Sequence, residues 1–183
     1  IVGESGCGKS LLANKISLQT YHNGNLSIIL GAKYYESTLD DLLKIEVGSM
    51  GFNSIESFFE HCIIKNVTPW IIIDGLNECD KRKGQKLLIE LLHISNTQSM
   101  KWVITSQSIP QGLNESLCTI IKVSKPTIET KKLIVEKYCS EQVLKRLEPI
   151  IVAISTCLET RIIAHLGATA EENSSRFTVL ELF

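Results

Sequence analysis

The chain has 183 residues, 44% of them hydrophobic and 21% charged, with a net charge of −1. That is enough apolar material for one globular domain and part of a second. The charge leaves no basic footprint for nucleic acid, and the apolar runs are too short to span a bilayer.

In chain order, Ile1-Val2 lead into Gly3-Glu4-Ser5-Gly6-Cys7-Gly8-Lys9-Ser10, which fits G-x-x-x-x-G-K-[ST], the phosphate-binding P-loop. Its glycines allow positive φ and close approach of a ligand. Its amides form an anion cradle at the head of the next helix. In this pattern Lys9 reaches the β- and γ-phosphates and the Ser10 hydroxyl binds Mg²⁺. Residues Gly3, Glu4, Ser5, Gly6, Cys7, Gly8, Lys9, Ser10 and Leu11 are the candidate nucleotide-binding set. The chain does not open on Met and only two residues precede the loop, so a fragment of a longer protein is expected.

A helix is predicted from Ser10 to about Thr20, with Leu11, Leu12 and Ile16 on its apolar face. A turn at His22–Asn25 precedes a strand over Leu26–Leu30. Helices follow over 38–47, with Thr38 as N-cap, and over Ser54–Lys65. Trp70-Ile71-Ile72-Ile73-Asp74 is the continuous apolar run of a parallel strand buried on both faces. Gly84–Ser95 is helical; Lys101–Ser106 and Thr119–Val123 are strands. Three helices close the pattern, over Ile128–Tyr138, Glu141–Leu147 and Ile150 to about His165; Phe177–Phe183 is apolar enough to pack. Strands alternating with helices predict an α/β fold: a parallel sheet flanked by helices, with the ligand at the carboxyl ends of the strands. The expected division is a P-loop α/β domain over 1–125 and a partial helical subdomain over 126–183.

Asp74 ends the most apolar strand. Four hydrophobic residues followed by Asp is the Walker B arrangement, which places a carboxylate in the Mg²⁺ shell beside Ser10; capping a turn with Gly75 is the alternative. Glu78, four residues on, either orients the attacking water or simply suits the start of the next helix. Thr105 and Ser106 end a strand where hydroxyls either sense the γ-phosphate or form a turn. Lys81-Arg82-Lys83 reads as a solvated basic run, with a trans-acting Arg82 finger as the alternative, and no role falls to the four histidines. The six cysteines are dispersed with no C-x-x-C pair, which argues against a zinc site or a disulfide framework and for thiols in a reducing cytoplasm. The absence of an Asn/Thr-Lys-x-Asp element favours ATP over GTP.

Gly3–Ser10, Ile71-Ile72-Ile73-Asp74-Gly75-Leu76-Asn77-Glu78 and Val103-Ile104-Thr105-Ser106-Gln107 together resemble the STAND-class P-loop ATPases, AAA+-related proteins, especially their NACHT-like branch. Asn77 stands where that group has the first acid of a pair, and Gln107 where it often has Arg. Its Gly-x-Pro element is absent through Phe183. The resemblance, which covers residues 1 to about 140, implies an ATP-dependent signalling switch, often in immunity, with slow hydrolysis supported by Glu78, Lys9 and Thr105. It also implies ATP and ADP as ligands, Mg²⁺ held by Ser10 and Asp74, and self-association of the full-length protein. A P-loop kinase and a non-hydrolysing nucleotide-binding scaffold share the cradle and stay open as alternatives.

Overall fold

A computed structural model describes residues 1–114, 116 and 118–172, so Phe177–Phe183 lies outside the described residues. Two compact units emerge. One comprises Ile1–Gly3 with Lys9–Lys122; the other comprises Glu4–Gly8 with the chain from Val123 onward.

The first unit is built on a parallel sheet of β1 (Leu26–Gly31), β2 (Pro69–Asp74) and β3 (Lys101–Ile104), in that spatial order. Register runs from Leu26 opposite Pro69 to Gly31 opposite Asp74, and from Trp70 opposite Lys101 to Ile73 opposite Ile104. Val2 extends the sheet by single parallel bridges to Ser106 and to Lys122. The predicted strand 119–123 is therefore reduced to one bridge. A parallel ladder lasts only as long as its neighbour, and the chain beside Lys122 turns into the loop at Gly3.

The apolar run of β2 is buried as its composition requires, with Ile71, Ile72 and Ile73 at most 1% exposed. Ile71 and Ile73 join one core with Leu39, Leu43, Phe58, Leu87 and Leu91 from α2 (Leu39–Ser49), α3 (Ile55–Ile64) and α4 (Lys81–Thr97). The alternation of a strand turns Ile72 to the opposite face, where α1 (Lys9–His22) packs on β1 and β2. Each such side chain contributes about 1.5–3 kcal/mol on burial. The face α1 turns inward overlaps the predicted one in part: Leu12 and Ile16 are half-buried, but the closest contacts come from other residues. Ala13 and Thr20 are buried and Ser17 reaches Ser27, hydroxyl to hydroxyl, at 2.6 Å, whereas Leu11 is 60% exposed. Small residues bring this helix close to the sheet.

Caps set the helix starts. The Thr38 hydroxyl accepts the Asp41 N–H ahead of α2, and Ser54 and Ser57 form a reciprocal box ahead of α3. Asp80 accepts from the Arg82 and Lys83 N–H groups, so α4 begins at Lys81 rather than at Gly84.

In the second unit, α5 (Ile128–Glu136), α6 (Glu141–Ala153) and α7 (Cys157–Glu172) enclose a core of Val135, Leu147, Ile150, Ile151, Ile163 and Ala164. The predicted break before Ile150 and unbroken helix to His165 are corrected. α6 runs through Pro149 to Ala153, and the break falls at 154–156. Lys131, 6% exposed, donates its ammonium protons to Ile151 O (3.1 Å) and Ile154 O (2.6 Å), satisfying the carbonyls where α6 ends. Thr156 and Glu159 then start α7: the Thr156 Oγ1 accepts the Glu159 N–H, and Glu159 Oε2 accepts the N–H groups of Ser155 and Thr156.

Candidate functional site

The loop Gly3–Ser10 lies between the Val2 bridges and the first turn of α1. Its backbone uses positive φ at Gly6 (+74°) and Gly8 (+103°). Gly3 is not in the left-handed region. Instead the Gly3 carbonyl accepts a hydrogen bond from Lys9 Nζ at 2.9 Å, so the lysine folds back along its own loop. Glu4 and Ser5 are exposed, and Glu4 pairs with Lys125 at 3.1 Å. Cys7 is buried at 5% exposure. Leu158 donates its N–H to Gly6 O at 3.2 Å, and a Cβ on Gly6 would stand 3.1 Å from Thr156 Cβ and Oγ1.

The carboxyl end of β2 brings three of the sequence candidates together. Asp74 Oδ1 accepts the Ser10 hydroxyl at 3.1 Å and the Thr105 hydroxyl at 2.5 Å. Thr105, 1% exposed, in turn accepts the Gly75 N–H on its Oγ1 at 2.8 Å. Its only hydroxyl proton is thus spent on Asp74. The turn-forming alternative for Asp74 is set beside this geometry: Gly75 does turn, at φ +73°, but it is Thr105 that holds the Gly75 amide. Ser106 serves by its backbone, donating to Ile1 O and accepting from the Gly3 N–H at 3.2 Å.

Glu78 folds back over this turn. A Cβ on Gly75 would lie 2.7 Å from the Glu78 carboxyl carbon. Only glycine leaves that space and tolerates that φ. The Glu78 carboxyl therefore sits over the residue that follows Asp74. Asn77 Oδ1 accepts the Gln107 N–H at 3.0 Å and ties the β2 loop to the chain leaving β3. Lys81, Arg82 and Lys83 are exposed in the first turn of α4, and Leu11 is exposed in the first turn of α1. Sequence reasoning missed the Asn77–Gln107 bond, the Thr105–Gly75 bond and the Gly6–Leu158 bond. All three involve a backbone group whose partner is remote in the chain, and none leaves a motif.

The hydroxyls of Ser10 and Thr105 gather with the carboxylate at Asp74. A carboxylate and a serine hydroxyl suit Mg²⁺, which takes one or two protein ligands and completes its shell with phosphate and water. Among the described residues no three His, Cys, Asp or Glu side chains are grouped as a protein-only metal cage would require. No described helix is long and apolar enough to cross a membrane.

No protein-family model matches the chain, and no curated protein matches it. Its fold is similar to that of Cdc6p from Pyrobaculum aerophilum, with a TM-score of 0.66 and 14% identity over 94% of this chain and 55% of that one. Orc1 from Aeropyrum pernix, in complex with DNA, gives a TM-score of 0.63 and 16% identity over 94% and 54%. AMPPCP-bound DnaA from Aquifex aeolicus gives 0.54 and 19% over 94% and 58%. The chain spans little more than half the length of each of these proteins. The likeness is one of fold: a parallel sheet flanked by helices, the P-loop NTPase architecture.

Proposed function

We propose that this chain binds ATP with Mg²⁺, hydrolyses it slowly, and uses the nucleotide state as a STAND, NACHT-like signalling switch coupled to self-association. The observation that carries the nucleotide reading is the hydrogen bond from the P-loop Ser10 to Asp74 Oδ1. It joins the ends of two motifs that sequence alone could only place in order. An AMPPCP-bound neighbour of the same fold is consistent with it. Lys9 exchanges the Gly3 carbonyl for the β- and γ-phosphates, and the loop amides with the head of α1 cradle them. Ser10 and Asp74 hold the metal, which when bound neutralises phosphate charge. Thr105 keeps Asp74 oriented. Glu78, folded over Gly75, orients or deprotonates the attacking water. The absence of a guanine-reading element supports ATP and ADP as the ligands, and the charge of −1 gives no support for carrying the neighbour's DNA to this chain. The signalling role and self-association rest on the resemblance of the Asp74–Glu78 and Val103–Gln107 stretches.

The test is calorimetric titration with ATP and Mg²⁺, with phosphate release followed in parallel. Binding in the parent chain and its loss in Lys9→Ala is the expected result; unchanged affinity in that variant would overturn the site. Transfer of phosphate to an added small-molecule acceptor, in place of free phosphate, would turn the reading to a kinase.

A further inference from the structure

Cys7 and Cys157 flank the hydrogen bond that holds the phosphate loop to the start of α7. Gly6 accepts from the Leu158 N–H at 3.2 Å and meets the Thr156 side chain on its other side. The residue after Gly6 is a cysteine, and so is the residue between Thr156 and Leu158. That hydrogen bond joins the peptide unit between Gly6 and Cys7 to the one between Cys157 and Leu158, so the two cysteines flank it on either chain; a disulfide spans Cα atoms about 4.4–6.8 Å apart. The thiols also feel one another: burial raises the Cys157 pKa, and the neighbouring Cys7 raises it further. Both backbones are fixed. The Thr156–Glu159 box pins Cys157 in the first turn of α7, and Cys7 follows a left-handed Gly6 in a turn closed by its own N–H to Glu4 O.

We propose that Cys7 and Cys157 form an oxidation site, closed to a disulfide by hydrogen peroxide, that clamps the phosphate loop to α7 and weakens nucleotide binding. Cys157 is the more exposed of the two and reacts first, and because its pKa is raised the reaction quickens as pH rises. Its thiolate attacks the peroxide oxygen, the O–O bond breaks, and a sulfenic acid and one water result. The Cys7 sulfur then attacks the Cys157 sulfur and displaces the hydroxyl as a second water. Two S–H hydrogens and one peroxide become one S–S bond and two waters. A dithiol reverses it by exchange. The clamp acts on binding because the peptide units on both sides of Cys7 belong to the anion cradle, and drawing its sulfur to Cys157 turns them. This consequence rests on the reading of Gly3–Ser10 as a phosphate site.

The experiment treats the reduced chain with hydrogen peroxide, blocks remaining thiols by alkylation, and combines peptide mass mapping with ATP titration. A cross-linked peptide holding Cys7 and Cys157 is expected, lighter than its parts by two hydrogens. ATP affinity should fall at least about tenfold and return with dithiothreitol. Cys157→Ser, and Cys157→Ala as a second variant, should melt like the parent, form no such peptide and keep their affinity under peroxide. A different pairing, oxidation of Cys7 without the cross-link, or an equal loss of affinity in the Cys157 variants would overturn the proposal. A reduced parent chain that binds no ATP would instead refute the phosphate reading, while the cross-linked peptide still decides the thiol pair.

Discussion

Ser10 donates its hydroxyl proton to Asp74 Oδ1 across 3.1 Å and a separation of 64 residues. The same oxygen accepts Thr105. A carboxylate oxygen that accepts two hydroxyl donors is fixed in orientation.

Replacing Asp74 with Asn isolates its charge. An amide oxygen still accepts both hydroxyls, so Asp74→Asn should melt close to the parent. A neutral group no longer attracts a hard divalent cation. The gain in ATP affinity that Mg²⁺ confers on the parent should therefore shrink by about tenfold or more, while affinity measured in EDTA stays level. Titrations with and without the metal check both halves.

Thr105 has a structural duty that its place at a strand end does not reveal. Its Oγ1 is the partner of the buried Gly75 N–H. Thr105→Val keeps the shape and removes both bonds, leaving that amide orphaned at a cost of about 1–3 kcal/mol. Thr105→Ser keeps the hydroxyl and should recover most of the loss. Urea unfolding midpoints of the two variants decide it. A valine variant as stable as the parent would mean that the amide finds another partner.

What was legible in the sequence divides along physical lines. The run Ile71–Ile73 announced a strand buried on both faces because solvent exclusion leaves its mark on every side chain of the strand. Thr38 announced a helix start because an N-cap acts within its own turn. The junction of α6 and α7 was hidden because what ends α6 is Lys131, 20 and 23 residues before the carbonyls it satisfies. The Pro149 ring, which usually stops a helix, is here exposed inside one. At the site, the motifs named Ser10 and Asp74 as members. They could not name Thr105 as the residue that orients Asp74, since that bond crosses between two strands.

Gly75 is where the fold and the proposed chemistry of Glu78 meet. In Gly75→Ala the new methyl enters the space of the Glu78 carboxyl and the backbone keeps a φ of +73° that alanine resists. The left-handed conformation costs about 1–2 kcal/mol, and Glu78 must swing away. Turnover should fall as it does in Glu78→Gln, with ATP affinity unchanged in both. If Gly75→Ala lost stability and kept its turnover, Glu78 would have no role in hydrolysis.

Lys131 is a buried cation that donates to Ile151 O and Ile154 O and whose charge also reaches the Glu159 carboxylate. Hydrogen bonds from a charged donor contribute about 1.5–3 kcal/mol, and removing the donor leaves two helix-end carbonyls to find water. Lys131→Met fills the same volume without a proton to give. It should lower the stability of the helical unit by about 2–3 kcal/mol and fray the end of α6. Hydrogen exchange should then speed up at Ile154 and at the first turn of α7, where Leu158 holds Gly6, and stay slow along β2. Because β2 belongs to the other unit, faster exchange there would show that the two units melt as one and that the lysine supports more than its own helices.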